Sequence, residues 1–178
     1  MGEAKVGQEF ITHEFDEAIA IQRSIVEAEQ QLGEVHPFPE AKTLISKGLK
    51  EDQKFLKELE TLGQQHGATG KIEDIAGSLT TLMQEAAQKA TEAESEAYEA
   101  HAVLLNLKRK QQDSASAMVK LGRARKDTKM RDAATKFERG TRESAKLLAT
   151  LLADFAVQIA SKGQQGAVSR SRSAGAAR

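Results

Sequence analysis

The sequence predicts an all-α protein in which four long helices form an antiparallel bundle. Ala, Leu, Glu, Lys, Gln and Arg, the residues with the highest helix propensity, make up most of the chain. Only two prolines occur, Pro37 and Pro39, so few positions interrupt a helix. Apolar residues recur at intervals of three and four in four stretches, which is the period of one helix face. At 178 residues the chain has the length of one domain with a substantial core.

The first two predicted helices flank the segment that holds the prolines. The first covers residues 12–32, with Thr12 as an N-cap, acidic residues in its first turn and Gly33 directly after its end. The second covers residues 39–62 and begins with a proline, which is favoured at the first helical position. The predicted buried faces are Ala18, Ile21, Ile25, Ala28 and Leu32 on the first helix, and Ala41, Ile45, Gly48, Phe55, Leu59 and Leu62 on the second.

The other two predicted helices are separated by a polar, strongly basic segment at residues 108–129. The third helix covers residues 72–111, and Gly77 is a candidate for a kink or a division. The fourth covers residues 128–159, and one short helix around 115–121 is predicted within the basic segment. The predicted buried faces are Leu79, Leu82, Ala86, Ala90, Ala93, Ala97, His101 and Leu104 on the third helix, and Ala134, Phe137, Gly140, Leu148, Leu151 and Phe155 on the fourth.

The predicted domain organisation has three parts. An N-terminal arm at residues 1–11 precedes the bundle at residues 12–161, and a disordered basic tail follows at residues 162–178. The tail is rich in Gly, Ser and Ala, a composition that is typical of flexible segments.

Several function classes are excluded by composition. The chain has no cysteine, which removes disulfides, thiolate nucleophiles and cysteine-based metal sites. No apolar run approaches the roughly 20 residues of a membrane-spanning helix, and the N-terminus lacks a basic-then-apolar signal. A Ser-His-Asp order, a phosphate-binding loop and a dinucleotide-binding glycine pattern are also missing. We therefore expect a cytoplasmic protein, with no membrane partner.

The charges are divided between the two halves of the chain, although the net charge is zero. Residues 1–100 hold 9 Lys/Arg and 20 Asp/Glu, whereas residues 101–178 hold 17 Lys/Arg and 6 Asp/Glu. Such a division favours an acidic pair of helices packed against a basic pair. The alternative is a polyanion-binding arm.

Two nine-residue stretches repeat one another at a distance of 92 residues. The first is GLKEDQKFL at 48–56, and the second is GTRESAKLL at 140–148. Each has Gly, then Glu three residues later, then Lys three residues after that. The same shift aligns further residues of the second and fourth predicted helices: Ala41 with Ala133, Thr43 with Thr135, Ile45 with Phe137, Leu56 with Leu148, and Leu59 with Leu151.

This layout resembles the ferritin-like superfamily and, within it, the stress-associated YciE/YciF-type proteins. The resemblance is carried by FDEAIAIQRSIVEAEQQLGE, EAKTLISKGLKEDQKFLKELETLG, AESEAYEAHAVLLNL and MRDAATKFERGTRESAKLLATLL, which together cover about half of the chain. Carboxylate-bridged di-metal bundles of this superfamily carry Glu-x-x-His on two helices and a Glu on each of the other two. The resemblance thus implies a four-helix bundle with a central metal site, or with its remnant.

The metal-site pattern is only partly present in this sequence. Glu51 and Glu143 match the Glu of the two motifs, but Lys54 and Lys146 stand where the pattern has His. Gln22 stands about where the first helix would supply a Glu. On the third predicted helix the matching carboxylate is Glu94, with Glu96 as the alternative, and His101 follows two turns later.

Two hypotheses follow for the Glu-x-x-Lys pairs. A Lys ammonium has no lone pair and cannot bind metal, but it can cancel the charge of buried carboxylates. Glu51, Lys54, Glu143 and Lys146 would then form a salt-bridge cluster in place of a di-metal site. Alternatively, all four are solvated surface residues that form ordinary i, i+3 pairs.

His101 and the basic residues are the remaining candidates. A single histidine on a buried face is more often a hydrogen-bonded core residue than a metal ligand. Basic residues of the 108–131 segment and the tail are candidates for phosphate contacts, although no aromatic residue lies among those of the segment to stack on bases. The candidate polyanion contacts are Lys120, Arg123, Arg125, Lys126, Arg170 and Arg172.

The sequence therefore favours a non-enzymatic, ferritin-like stress-associated protein with a degenerate metal site and no cofactor. It would act by association, as a homodimer or with a related bundle, as the resemblance implies. The first alternative is an iron- or manganese-binding protein that uses Glu51, Glu94, Glu143 and His101. The second is a nucleic-acid-binding bundle that uses residues 108–131 and the tail.

Overall fold

The protein is all-α in the computed structural model, which describes the backbone of residues 2–71 and 73–175 and the side chains of residues 7–71, 78 and 81–162. This confirms the predicted fold class, and the described backbone contains no strand. The described backbone forms five helices, where the sequence predicts four long helices and a short one around 115–121: α1 (Gly2–Val35), α2 (Pro39–Gln65), α3 (Glu73–Lys89), α4 (Glu94–Arg125) and α5 (Thr128–Gly175).

The predicted third helix is divided, so a single helix over residues 72–111 is wrong. The division lies at residues 90–93 and not at Gly77. The Thr91 hydroxyl donates to the carbonyl of Gln88 at 2.9 Å, and Ala93 is extended immediately before α4 begins. A side-chain hydroxyl that bonds to a nearby carbonyl competes with the helical pattern, and this bond lies at the point where the helix stops in a run of good helix formers.

The basic segment is helical, so the predicted interruption at residues 108–129 is also wrong. Helix α4 continues to Arg125 because buried residues at helical spacing follow one another through the segment. Its end is fixed by Lys126, which adopts the left-handed conformation with φ 59°. The backbone N–H of Met130 then donates to the Asp127 carboxylate at 2.9 Å, and this N-cap begins α5 as predicted.

The helices at both chain ends are longer than the sequence predicts. Helix α1 begins at Gly2 and thus includes the predicted arm, and the backbone of α5 is helical to Gly175. Residues 176–178 of the predicted tail, and the side chains from residue 163 onward, lie outside the described residues.

Two apolar clusters form the core. The first cluster joins residues from all five helices: the second half of α1, the start of α2, α3, the first half of α4 and the middle of α5. It includes Ile25, Leu32, Ile45, Leu104 and Phe155. The second joins the opposite ends of α1, α2, α4 and α5, and it includes Phe15, Leu59, Met118 and Phe137. The predicted buried face of the first helix is confirmed, because Ala18, Ile21, Ile25, Ala28 and Leu32 are all fully buried.

Candidate functional site

A layer of buried polar side chains separates the two apolar clusters. Each long helix contributes to it: Gln22 and Glu29 from α1, Asp52 from α2, Lys108 and Gln111 from α4, and Thr141 from α5. Burial of so many polar groups costs free energy unless they bond to one another, which makes this layer the chemically distinctive part of the molecule.

Lys108 lies at the centre of the layer, between two carboxylates from different helices. Its Nζ is 2.7 Å from Oε1 of Glu29 and also contacts Oδ2 of Asp52. The side chains of Lys108, Glu29 and Asp52 are 0%, 1% and 6% exposed, so solvent does not screen the three charges. Two of the three ammonium hydrogens thus point to carboxylate oxygens, and we call these residues the central triad.

Two glutamines complete the network around Asp52. The amide nitrogen of Gln22 donates to Oδ1 of Asp52 at 2.7 Å and to the backbone carbonyl of Asp52 at 3.1 Å. The amide nitrogen of Gln111 donates to Oε1 of Gln22 at 3.2 Å and to the carbonyl of Ala18 at 3.0 Å. Each oxygen of the Asp52 carboxylate therefore has its own donor, and the carboxylate is held in one orientation.

Gly48 makes room for the carboxylate of Glu29. A Cβ at position 48 would lie 2.8 Å from Oε1 of Glu29, closer than a Cβ normally approaches another atom. The absence of a side chain on α2 at this point is what allows the carboxylate to reach Lys108.

The electrostatics of the triad follow from two carboxylates and one ammonium. Burial raises the pKa of Glu29 to about 8, and the neighbouring charge of Asp52 adds to the effect while Lys108 opposes it. Burial by itself lowers the pKa of Lys108, but Glu29 and Asp52 outweigh burial and the pKa of Lys108 is raised. A proton on Glu29 therefore makes the triad electrically neutral, with Lys108 and Asp52 as the ion pair.

Three buried oxygens of the layer have no hydrogen-bond partner among the described residues: Oε2 of Glu29, Oε1 of Gln111 and Oγ1 of Thr141. Protonation of Glu29 gives its carboxyl a donor, and the carboxyls of Glu29 and Asp52 lie within hydrogen-bonding reach of each other.

The predicted Glu/Lys cluster lies at the surface, so its central position is wrong. Glu51, Lys54, Glu143 and Lys146 are all exposed. The inward residue of α2 is Asp52, because successive residues of a helix are rotated by about 100° and only one of the neighbouring pair can face the core. The structure does bring Glu51 and Glu143 together, in a surface groove between α2 and α5 that Lys47 and Ser144 also line.

The predicted metal ligands are not brought together. Glu94 lies at the start of α4 and pairs with Lys162 at 2.5 Å, whereas Glu51 and Glu143 lie in the surface groove. His101 is buried as predicted, and its Nε2 donates to the carbonyl of Leu148 at 2.9 Å. Within the described residues no three His, Asp or Glu side chains are grouped as a metal site requires. Gln22, in contrast, lies where the sequence predicts it, in the centre.

A second buried site contains two histidines that are packed against aromatic rings. The rings of His36 and His101 are 5.5 Å apart, and both contact Phe155. Nδ1 of His36 accepts from the backbone N–H of Phe38 at 3.2 Å. Burial, with smaller effects of His101 and Lys42, lowers the pKa of His36 to about 4, and burial also lowers the pKa of His101. Both histidines are therefore neutral at physiological pH.

The candidate polyanion residues are partly described. Lys120, Arg123, Arg125 and Lys126 are exposed at the end of α4, and Arg125 contacts Gln8 at 3.4 Å. The side chains of Arg170 and Arg172 lie outside the described residues.

The sequence signal for the central triad is a polar residue inside an apolar stripe. Gln22 and Glu29 interrupt the stripe of α1 seven residues apart, Asp52 lies midway between Ile45 and Leu59, and Lys108 follows Leu104. The sequence prediction missed Glu29, Asp52 and Lys108 because it placed the Glu-x-x-Lys motifs in the centre.

No protein-family model, no curated protein and no solved structure matches this chain. The assignment of a function therefore rests on the chain's own geometry.

Proposed function

We propose that the protein is a ferritin-like four-helix bundle whose centre holds a lysine ammonium in place of metal, and that it acts by association and not by catalysis. The observation that carries the proposal is the position of Lys108 between Glu29 and Asp52. An ammonium there supplies positive charge to carboxylates from two helices, which is the electrostatic role that metal ions have in carboxylate-bridged bundles.

The order of contacts along the helices supports this topology. Late α1 contacts early α2, where Lys42 donates to the carbonyl of Glu34, and late α5 contacts early α4, where Lys162 pairs with Glu94. Early α1 likewise contacts late α4. The four long helices then run up, down, down and up. The connection from α2 to α4, which includes α3, is the single long crossover of ferritin-like folds.

The exposed apolar surface of α5 supports an association role. By length and composition the Thr128–Lys162 part of α5 is apolar enough to cross a membrane, and only 17% of its most apolar window is buried. Leu147 and Val157 on this helix are 52% and 66% exposed. Burial against a second copy or a related bundle removes this surface from water. The resemblance to stress-associated bundle proteins suggests a role in stress response.

Metal analysis tests the central part of the proposal. The purified full chain is incubated anaerobically with Fe(II) or with Mn(II), passed through a desalting column and analysed for bound metal. We expect no stoichiometric metal. Binding of about two ions per chain, the content of a di-metal bundle, would overturn the proposal in favour of iron or manganese handling.

Light scattering across a concentration series tests the association. We expect a dimer for the wild type and a monomer for the double variant Leu147→Glu with Val157→Glu, with Lys146→Glu as the matched control on the same helix. A wild-type monomer at every micromolar concentration, or flotation of the protein with lipid vesicles, contradicts association between bundles.

Polyanion binding is a second candidate function, and one observation favours it. Lys120, Arg123 and Lys126 are exposed near the α4–α5 turn and form no ion pair with any described residue. A gel shift at low salt with wild type and with a variant in which these three residues are changed to Gln decides the question. Loss of the sequence-independent binding in the variant would support polyanion binding as a function. Binding by the variant that equals wild-type binding would contradict it.

A further inference from the structure

We propose that the central triad is a site of autocatalytic modification, in which Lys108 Nζ and Asp52 Cγ form an intramolecular amide bond with Glu29 as the proton relay. This bond would covalently link α2 to α4. The inference concerns the same three residues as the proposed function, because the amide bond would replace the Lys108–Asp52 ion pair. The two proposals are tested by different readouts, the mass of the chain for the amide bond and the metal content for the proposed function.

The geometry provides a nucleophile, an electrophile and a relay in contact with one another. Lys108 Nζ contacts Asp52 Oδ2, and Glu29 Oε1 is 2.7 Å from the same nitrogen. The carboxyl of Glu29 also reaches that of Asp52. Groups that are held together in this way react at an effective concentration far above that of free groups in solution.

Gln22 supplies a hydrogen-bond donor to the Asp52 carboxylate. Its amide nitrogen donates to Asp52 Oδ1 at 2.7 Å, on the oxygen that is not in contact with Lys108. When a nucleophile adds to Cγ, negative charge develops on the oxygen that remains, and a fixed donor at that oxygen stabilises the charge. The Asp52 carboxylate therefore has one oxygen placed to leave and the other placed to accept the charge.

Formation of the amide bond needs no co-reactant. A proton moves from the Lys108 ammonium to Asp52 Oδ2, which leaves a neutral amine beside a neutral carboxylic acid. The Nζ lone pair attacks Cγ to form the N–C bond, and the C–O electrons move to Oδ1. Glu29 accepts the second Nζ proton on one oxygen and delivers its own proton from the other to Oδ2. The Cγ–Oδ2 bond then breaks, and one water molecule leaves.

Burial makes this reaction reasonable for side chains that otherwise form a stable ion pair. Lys108 is 0% exposed, and both carboxylates are almost completely buried. Burial opposes the charge on Lys108, although the two carboxylates outweigh it and keep the ammonium as the main form, so the neutral amine is the minor form that reacts. Burial also limits the access of water that would reverse the addition.

Intact mass spectrometry of the denatured full chain tests the proposal. We expect wild-type protein to be lighter than its sequence mass by one water. Trypsin cannot cleave after a modified Lys108, so the digest is expected to hold a branched peptide in which residues 51–54 are joined to residues 90–109. This peptide is read from the wild type and does not depend on the folding of any variant.

Three variants identify the chemistry. Lys108→Arg keeps a cation but has no amine nucleophile, and its mass is expected to equal the sequence mass. Asp52→Asn is expected to lose ammonia and not water, because the leaving group has changed. Glu29→Gln is expected to slow the reaction by orders of magnitude while circular dichroism shows an intact fold. Lys110→Arg, which changes an exposed lysine on the same helix, is the matched control and is expected to lose water as the wild type does.

A wild-type chain that keeps its full sequence mass after prolonged incubation in the folded state would overturn the proposal. Loss of water that persists in Lys108→Arg also overturns it, because the dehydration would then lie elsewhere. Neither result affects the metal-free proposal, whose test is the metal content.

Discussion

The strongest quantitative prediction concerns the ionisation of Glu29. Its ordinary pKa is 4.5, and in the folded protein its pKa is raised to about 8. Between these values the folded state holds a proton that the unfolded state has released, so a rise in pH favours unfolding. The stabilising contribution is fully present below about pH 4.5 and is lost as the pH rises through about 8.

The size of this loss in stability follows from the size of the pKa shift of Glu29. One pKa unit corresponds to about 1.4 kcal/mol, and integration of the titration from about pH 6 to about pH 8 gives a loss of about 2 kcal/mol in the free energy of unfolding. The variant Glu29→Gln is neutral at every pH and does not have this loss. The unfolding free energy of the variant minus that of the wild type should therefore rise by about 2 kcal/mol across the same interval.

The comparison with the variant is needed because the buried histidines make the protein more stable, and not less stable, as the pH rises. His36 and His101 have lowered pKa values, so their contribution to stability falls as the pH decreases below 6.5. Both histidines are present in wild type and variant, and their contributions cancel in the difference.

Urea unfolding followed by circular dichroism at intervals of half a pH unit measures the difference. Glu27→Gln, an exposed position on the same helix, is the control and should differ from wild type by a constant amount. If the difference for Glu29→Gln is also constant within about 0.5 kcal/mol, Glu29 is not held neutral by burial and the electrostatic account of the triad fails. The direction holds after amide formation, because burial, the largest cause of the raised pKa, remains, while the lowering effect of Lys108 and the raising effect of Asp52 are lost together.

Two further substitutions test the layer by urea unfolding. Lys108→Met leaves Glu29 and Asp52 without their cation and should cost about 3–5 kcal/mol, whereas Lys110→Met at an exposed ion pair should cost less than about 1 kcal/mol. Equal costs would show that Lys108 is not an essential partner. Gly48→Ala forces a Cβ to within 2.8 Å of Glu29 Oε1 and should destabilise by about 1–3 kcal/mol. Gly7→Ala, where nothing lies within 4 Å, should be stabilising by up to about 1 kcal/mol, and a gain at both positions would contradict the tight packing at Gly48.

The helix content and the apolar face of α1 were predictable because they depend on local sequence, whereas Leu82 and Ala93, predicted to be buried on the third helix, are exposed. The stripe of α1 and the start of α5 at Thr128 are where the sequence places them. The division at residues 90–93 was not predictable, because Ala and Glu favour a helix and the chain turns there through tertiary packing. The same reason applies to the basic segment, where burial of Ala115, Met118 and Val119 outweighs the polar composition.

The candidate site shows where a motif misleads. The prediction of a central charged cluster assumed that Glu51 and Glu143 face inward. In the structure both are exposed, and the next residue of α2, Asp52, faces the core instead. Periodicity fixes a helix face only to within about one residue when both neighbours are acidic. The polar positions within the apolar stripes carry the better signal, since a charge at such a position is rarely present without a buried partner.

The buried triad also has a consequence for how the helices align. Replacement of a buried ion pair by apolar residues is often neutral or stabilising, so the triad is not explained by stability alone. Lys108 meets Glu29 and Asp52 only in one register of α4 against α1 and α2. A shift of α4 by one turn would place the ammonium against the apolar cluster on either side and leave both carboxylates unpaired, a state that costs several kcal/mol. Small and aliphatic side chains dominate both clusters and would tolerate such a shift by packing alone. We therefore infer that the polar layer sets the register of α4 against α1 and α2.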